Sequence, residues 1–216
     1  MNGVSVRLLN RGSRGDSYKD GVKTSKAICS AVVLIRTPKK NVIVDPGAMG
    51  YASKVLKALR KEGLAPSDID AVINTHMHSD HCYNNFLFPT ALLYTPTSVW
   101  IPGRKNKVVM YPNPPKLSIP GVRLIDTPGH MEKHVSVVVK TGGRTVVIAG
   151  DAVREAIIRT GDVPKKYTNA GDYAKSMKKV FDLADEIIPG HGPVISGDRL
   201  KRLKARVEMI PASSLK

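Results

Sequence analysis

The segment HMHSDH, from His76 to His81, constrains this chain more than any other feature. It places three of the six histidines and one aspartate within six consecutive residues, directly after the apolar run DAVINT. Burial of so many imidazole and carboxylate groups costs free energy unless they are paired, and a bound cation is their usual partner. The segment therefore predicts a metal site at the end of a strand, where loops bring side chains together.

Three further polar residues share one local pattern, in which an apolar run and a glycine precede the polar side chain. They are His130 in IDTPGH, Asp151 in VVIAGD and His191 in IIPGHG. Glycine at such positions lets the backbone approach a ligand closely or adopt a positive φ. We therefore expect each of these residues at the tip of a strand, facing the same site as the first cluster.

These patterns yield seven candidate metal ligands: His76, His78, Asp80, His81, His130, Asp151 and His191. In an extended segment, alternation turns His76 and His78 to the same side, and Asp80 and His81 follow once the chain turns. The seven offer only nitrogen and oxygen donors, which suit zinc or another borderline divalent metal. They are too many for one tetrahedral ion, so we expect two neighbouring metal pockets.

The chain reads as one irregular alternation of strands and helices without a fixed-period repeat. Its 216 residues, 42% of them hydrophobic, fit a single domain, residues 1–216, with a sizeable core. Runs of β-branched and aliphatic residues predict strands at 4–9, 28–35, 42–44, 70–75, 92–94, 122–125, 135–139 and 145–149. Helical periodicity predicts helices at 51–64, 172–184 and 198–207, with Gly63 ending the first. The Pro- and Gly-rich stretch 101–121 predicts an irregular loop that could overhang the site.

The net charge of +16 favours anionic partners such as nucleic acid or phosphorylated metabolites. The basic residues are scattered, although RKNK at 104–107 and the helix with Lys201, Arg202, Lys204 and Arg206 form local runs. Because no interleaved aromatic residues accompany them, a solvated basic surface explains the charge equally well. We therefore favour a small-molecule substrate and keep nucleic acid as the alternative partner.

Localisation is predicted from the absence of targeting features. No apolar stretch approaches the roughly 20 residues that span a bilayer, and the N-terminus does not resemble a signal peptide. Cys29 and Cys82 lie far apart, so the sequence indicates neither a disulfide framework nor a cysteine-based zinc site. We expect a cytoplasmic protein without a membrane partner. The sequence does not indicate its oligomeric state.

The motifs HMHSDH, TPGH, AGD and PGHG, in this order, resemble the metal-binding signature of the metallo-β-lactamase superfamily, from about residue 28 to 195. The resemblance implies an α/β (α+β) fold, a four-layer αββα sandwich with the metals at one edge between its two mixed sheets. It implies a first metal held by His76, His78 and His130, and a second held by Asp80, His81 and His191, with Asp151 bridging them.

The resemblance also implies roles for residues around the metals. Asp80 would orient the attacking hydroxide and accept or shuttle a proton, and Asp45 in VIVDPG would support the ligands by hydrogen bonds. His134 could donate a proton to a leaving group or contact substrate, although it could simply pack near the surface. Further candidates for binding an anionic group or a carbonyl are Lys133, Arg154, Tyr167 and Tyr173.

The family's chemistry implies a hydrolase with two divalent ions, zinc being expected and iron or manganese the alternatives. An ester, thioester or lactone is favoured over a phosphodiester, the substrate of a phosphodiesterase or ribonuclease. True β-lactamases of the family tend to lack an aspartate at the bridging position, so Asp151 argues against antibiotic hydrolysis. An iron-dependent oxygenase and an inert metal-binding scaffold are two further hypotheses.

Overall fold

The computed structural model describes residues 3–19, 22–103, 107–161 and 169–210. Its strands are β1 (Ser5–Asn10), β2 (Ser13–Lys19), β3 (Val22–Cys29), β4 (Val32–Arg36), β5 (Asn41–Val44), β6 (Ala71–Ile73), β7 (Leu92–Tyr94), β8 (Ser98–Ile101), β9 (Lys107–Met110), β10 (Val122–Asp126), β11 (Val135–Thr141), β12 (Arg144–Gly150), β13 (Glu186–Pro189) and β14 (Ile195–Ser196). Its α-helices are α1 (Ala52–Lys61), α2 (Ser79–Cys82), α3 (Glu155–Thr160), α4 (Ala170–Leu183) and α5 (Gly197–Glu208).

Two mixed sheets form the centre of the molecule. The seven-stranded sheet has the order β1-β4-β5-β6-β7-β8-β9, and the five-stranded sheet has the order β10-β11-β12-β13-β14. Strand β6 is parallel to both of its neighbours, and β12 is parallel to β13. A separate hairpin pairs β2 with β3. Parallel neighbours carry their carboxyl ends to the same edge of a sheet, which is where the candidate ligands follow.

The two sheets pack face to face through aliphatic side chains. Val33, Ile35 and Val44 of one sheet meet Val137 and Ile148 of the other in one buried cluster. Burial of each such side chain contributes about 1.5–3 kcal/mol. Because the alternate side chains of these strands are also apolar, each sheet has a second face that other elements must cover.

Helices cover both outer faces of the sandwich. Val32 and Leu34 of β4 pack with Val55 and Leu59 of α1. On the other side α3, α4 and α5 cover the five-stranded sheet, where Phe181 is buried. The four layers are therefore αββα, and the predicted fold class is confirmed.

The predicted helices exist, with ends close to those expected. Helix α1 ends at Lys61, and Gly63 follows with a φ of +71°, which its lack of a side chain permits. Arg60 and Lys61 in the last turn interact favourably with the helix dipole. Among the described residues, no helix is both long and apolar enough to cross a membrane.

The prediction of one continuous strand at 28–35 is wrong. Strand β3 ends at Cys29, and β4 begins at Val32. Between them, the backbone N–H of Ser30 donates to the carbonyl of Asp80 at 3.0 Å, and that of Ala31 donates to the carbonyl of Gly190 at 2.8 Å. The chain leaves the hydrogen-bond ladder of the sheet here because these amides donate to helix α2 and to the loop after β13 instead.

The prediction of an irregular loop over 101–121 is also wrong in part. Strand β8 extends to Ile101 and pairs antiparallel with β9, the edge strand of the seven-stranded sheet. The apolar stretch KVVM pairs as a strand, and the prolines and glycines lie on its flanks. Residues 104–106, most of the RKNK run, lie outside the described residues.

Candidate metal centre

The HMHSDH segment begins at the carboxyl end of β6, between two parallel neighbours. His78 is the N-cap residue of the short helix α2, which carries Asp80 and His81. The chain therefore turns where the sequence predicts. Asp151 directly follows β12, and His191 lies two residues after β13.

The first pocket brings together His76, His78 and His130, whose candidate ligand atoms all lie within 4.8 Å of one another. Nδ1 of His78 lies 3.0 Å from Nε2 of His76 and 3.0 Å from Nε2 of His130. Three imidazole nitrogens from two separate segments of the chain thus converge on one point.

The second pocket brings together Asp80, His81 and His191. Oδ2 of Asp80 lies 3.2 Å from Nε2 of His191 and 3.8 Å from Nε2 of His81. The side chain of His81 is fully buried, whereas that of Asp80 is 22% exposed. Asp80 is therefore the more open carboxylate of the site.

Asp151 lies between the two pockets. Its Oδ2 is 3.2 Å from Nε2 of His130 in the first pocket. Its Oδ1 is 3.5 Å from Nε2 of both His81 and His191 in the second pocket. The two carboxylate oxygens thus face different ligand groups, an arrangement suited to a bridging ligand.

These side chains fit a divalent cation. Nε2 of His81, Nε2 of His191 and Oδ1 of Asp151 are buried and have no hydrogen-bond partner among the described residues. Leaving a buried polar atom unsatisfied costs about 1–3 kcal/mol. Nitrogen and oxygen donors at this density are the ligands that zinc and similar ions take. The site can therefore hold a metal, as predicted.

Asp45 fixes the orientation of a histidine in each pocket. Its Oδ2 accepts hydrogen bonds from Nδ1 of His81 at 2.8 Å and from the hydroxyl of Thr75 at 2.7 Å. The Thr75 oxygen then accepts from Nδ1 of His76, 3.0 Å away. Because both rings donate through Nδ1, both direct Nε2 into the pockets, as orienting carboxylates do in metal sites.

His134 packs behind the first pocket and is fully buried, so it does not lie near the surface. The Ser136 hydroxyl donates its proton to the carbonyl of Ala149, so it can only accept from Thr127. The Thr127 hydroxyl therefore donates to Ser136 and accepts a hydrogen bond from Nδ1 of His134 at 2.9 Å. The ring stacks on His76, with centroids 4.9 Å apart. This placement gives His134 contact with a candidate ligand.

Histidines of the first pocket are held neutral. Burial outweighs the opposing effect of the Asp151 carboxylate and, together with the nearby Arg154 charge, lowers the pKa of His130 to about 4. Burial also lowers the pKa of His76 and His78, and that of His134 to about 3. At neutral pH these rings have lone pairs available for a cation.

The second pocket has the opposite electrostatics. Burial alone would lower the pKa of His81, but the carboxylates of Asp45 and Asp151 outweigh it and raise this pKa to about 10. Burial opposes ionisation of Asp80, yet its contact with His191 lowers the pKa of the carboxyl below its usual value. A cation bound beside His81 therefore replaces a proton.

Of the other predicted residues that the structure describes, Arg154 alone contacts a candidate ligand. One of its terminal guanidinium nitrogens, Nη2, donates to Oδ2 of Asp151. Tyr173 is fully buried, and its burial raises the pKa of the hydroxyl. Lys133 is exposed, with no described contact to the pockets. Tyr167 lies outside the described residues.

Two glycines are required for the pockets to close. A Cβ on Gly190 would lie 2.3 Å from Oδ1 of Asp151 and 2.9 Å from the His81 ring. Gly150 has a φ of +49°, and a Cβ there would lie 2.5 Å from the Thr75 hydroxyl. The small residues in AGD and PGHG are thus explained by close approach, as the sequence predicts.

Sequence reasoning missed the hydroxyl groups that orient the histidines, those of Thr75, Thr127 and Ser136. Thr75 directly precedes HMHSDH and Thr127 opens TPGH, so proximity to the motifs was the available signal. Their partners lie elsewhere in the sequence, 30 residues away for Thr75 and Asp45. No local pattern encodes such a pairing.

Comparison with known proteins decides the family. The sequence model of the metallo-beta-lactamase superfamily matches residues 29–100 and 101–193. The chain belongs to the metallo-beta-lactamase superfamily. It is 38% identical over 197 residues to human metallo-beta-lactamase domain-containing protein 1, covering 88% of this chain and 72% of that protein. It is 31% identical over 162 residues to a probable metallo-hydrolase of Methanocaldococcus jannaschii, covering 74% of each.

Solved structures agree on the fold of this metallo-beta-lactamase superfamily member. A metallo-beta-lactamase family protein from Thermus thermophilus superposes with a TM-score of 0.59 at 18% identity, covering 94% of this chain and 79% of that chain. At this identity the likeness concerns the fold alone. The predicted family and the predicted class, a hydrolase of this superfamily, are confirmed.

Proposed function

We propose that this chain is a dinuclear hydrolase, with zinc as its metal, that cleaves an ester, thioester or lactone. The observation that carries the proposal is the convergence of seven donors in two pockets with Asp151 between them. Three of the buried donor atoms lack a hydrogen-bond partner among the described residues. When bound, two divalent cations activate water for attack and polarise the substrate oxygen. A serine or cysteine nucleophile is then not required.

In this proposal His76, His78 and His130 would hold the first ion, Asp80, His81 and His191 would hold the second, and Asp151 would contribute to both. Asp80 would also accept the proton of the attacking water. Its lowered pKa keeps it ionised at neutral pH, and its partial exposure makes it reachable from solvent. Asp45 and Thr75 position the rings without touching substrate.

An acyl substrate is supported by the side chains that flank the ligands. Met77, between His76 and His78, is 49% exposed, and Tyr83 beside α2 is 44% exposed. Exposed apolar side chains next to a metal site suit an acyl group better than a phosphodiester backbone. The proposed partner is accordingly a small molecule.

A basic groove supports phosphodiester cleavage as the second candidate function. Four basic residues and one acidic residue line a groove of about 580 Å³ beside Ile125 and Leu183: Arg123, Lys175, Lys178, Lys179 and Asp182. Lys179 donates to the carbonyl of Asp126, in the strand that leads to the His130 loop. The other basic run, Lys201, Arg202, Lys204 and Arg206, lies on α5, where Lys204 pairs with Asp182 at 2.8 Å.

An iron-dependent oxygenase is a further candidate. The solved structure of the peroxy diiron species of the chemotaxis sensor ODP superposes with a TM-score of 0.63 at 15% identity, covering 90% of this chain and 94% of that chain. This likeness concerns the fold alone, so it leaves the hydrolase favoured. The identity of the bound metal separates the two chemistries.

A substrate panel tests the proposed function. Zinc-loaded protein is assayed on a glutathione thioester, a simple lactone, bis-(p-nitrophenyl) phosphate and single-stranded RNA. We expect turnover of the thioester or lactone that is abolished in Asp80→Ala although most metal stays bound, and unchanged in the control Asp198→Asn, an exposed carboxylate on α5. Cleavage of RNA alone, lost in Asp80→Ala, would instead establish the second candidate. Full activity of Asp80→Ala on any substrate would contradict the mechanism.

A further inference from the structure

The two oxygens of Asp151 have unequal surroundings. Oδ1, which faces His81 and His191, has no hydrogen-bond partner among the described residues. Oδ2, which faces His130, accepts a hydrogen bond from the guanidinium of Arg154. The Arg154 side chain is only 15% exposed, so this pairing is part of the packed site.

The carboxylates beside the histidines differ in the same sense. In the second pocket, Nε2 of His191 lies 3.2 Å from Oδ2 of Asp80 and 3.5 Å from Oδ1 of Asp151, and Nε2 of His81 lies 3.8 Å and 3.5 Å from the same two oxygens. In the first pocket, the carboxylate oxygen beside His130 is Oδ2 of Asp151, the one that Arg154 engages. The second pocket thus has two carboxylates facing it, and the first has one that is already paired with a cation.

We propose that Arg154 makes the two metal positions unequal, so that the pocket of Asp80, His81 and His191 binds its ion first and Arg154 weakens the pocket of His76, His78 and His130. The inference rests on the proposed two-metal function. Arg154 withdraws electron density from the oxygen that the first pocket shares. It also places a permanent positive charge beside that pocket, which opposes the approach of a cation.

The size of the effect follows from the bond that is removed. A hydrogen bond to a charged group changes an equilibrium by about 10- to 100-fold. Replacing Arg154 with an uncharged side chain of similar length should therefore tighten the weaker binding step by about tenfold or more. The tighter step, which depends on Oδ1, should change less.

Zinc binding to chelator-treated protein tests this, by equilibrium dialysis against buffered zinc with metal content counted per chain. The parent protein should bind zinc in two steps with different dissociation constants. Arg154→Met should bring the two dissociation constants closer together by lowering that of the weaker step. Arg154→Lys keeps the charge and should retain the separation. Arg159→Met removes an exposed charge from the last turn of α3 and should behave as the parent.

Two ligand variants assign the steps. His191→Ala should lose the tighter step, and His130→Ala should lose the weaker one. Loss of the tighter step in His130→Ala would reverse the order and overturn the inference. An Arg154→Met protein that binds both ions more weakly would show that Arg154 only holds Asp151 in place, which also overturns it. Two equal steps in the parent would reject this inference alone, whereas no zinc binding would reject the proposed function itself.

Discussion

Nδ1 of His81 donates a 2.8 Å hydrogen bond to Oδ2 of Asp45, and both side chains are almost completely buried. The same carboxylate accepts the backbone N–H and the hydroxyl of Thr75, the residue before His76. Asp45 adopts a φ of +50°, uncommon for a residue other than glycine. One strained residue after β5 therefore orients ligands of both pockets.

Asp45→Asn tests this positioning role. The amide keeps the size of the side chain, but its NH₂ group cannot accept from a hydroxyl or an imidazole N–H. We expect zinc affinity to fall by about 10- to 100-fold, as for other residues that orient metal ligands. Equilibrium dialysis measures it, with Asp198→Asn as the control. Unchanged affinity would show that the His81 ring is held by packing alone.

Thr75→Val removes the hydroxyl that relays Asp45 to His76 while keeping the side-chain shape. We expect the step assigned to the first pocket to weaken by about tenfold or more, because the two buried hydrogen bonds of this hydroxyl are lost. Thr75→Ser keeps the hydroxyl and should bind zinc as the parent does. Equal losses in both variants would point to the methyl group instead of the hydroxyl.

The metal-free protein should be most stable near pH 6.5. The folded-state pKa of His81, about 10, lies above its unfolded value of about 6.5, so its stabilising contribution is lost as pH rises from 6.5 towards 10. His130 has a folded-state pKa of about 4, so its contribution is lost as pH falls from 6.5 towards 4. Each of these two histidines contributes a slope of at most about 1.4 kcal/mol per pH unit.

Urea unfolding at pH 5, 6.5 and 8.5 checks this pH dependence. The zinc-loaded protein should lack the alkaline loss, because the ion takes the place of the His81 proton. A metal-free protein that becomes more stable between pH 6.5 and 8.5 would contradict the assignment of the raised pKa to His81.

Gly190→Ala should disrupt the second pocket. The new methyl group would lie 2.3 Å from Oδ1 of Asp151, so the backbone or the carboxylate must move. Overpacking of this kind costs about 1–3 kcal/mol of unfolding free energy, and zinc binding should weaken with it. Gly103→Ala meets no atom within 4 Å and serves as the control. Normal zinc binding by Gly190→Ala would mean that this contact relaxes freely.

The seven candidate ligands could be predicted because their motifs are local and each follows a strand. The four layers could be predicted only through the resemblance to the family, since the alternating apolar residues and the 3.6-residue period mark individual strands and helices and do not fix how they pack. The break at Ser30 could not, since its cause is a hydrogen bond to the distant Asp80. The pairing of Arg154 with Asp151 was missed because a charged residue after a strand ordinarily faces solvent.

Metal content per chain, measured on protein purified without added metal, tests the central claim most directly. Two pockets sharing Asp151 should retain about two zinc ions per chain, and His191→Ala or His130→Ala should retain about one. About one iron per chain would support the oxygenase, and a chain that holds no metal even after incubation with zinc would contradict the account.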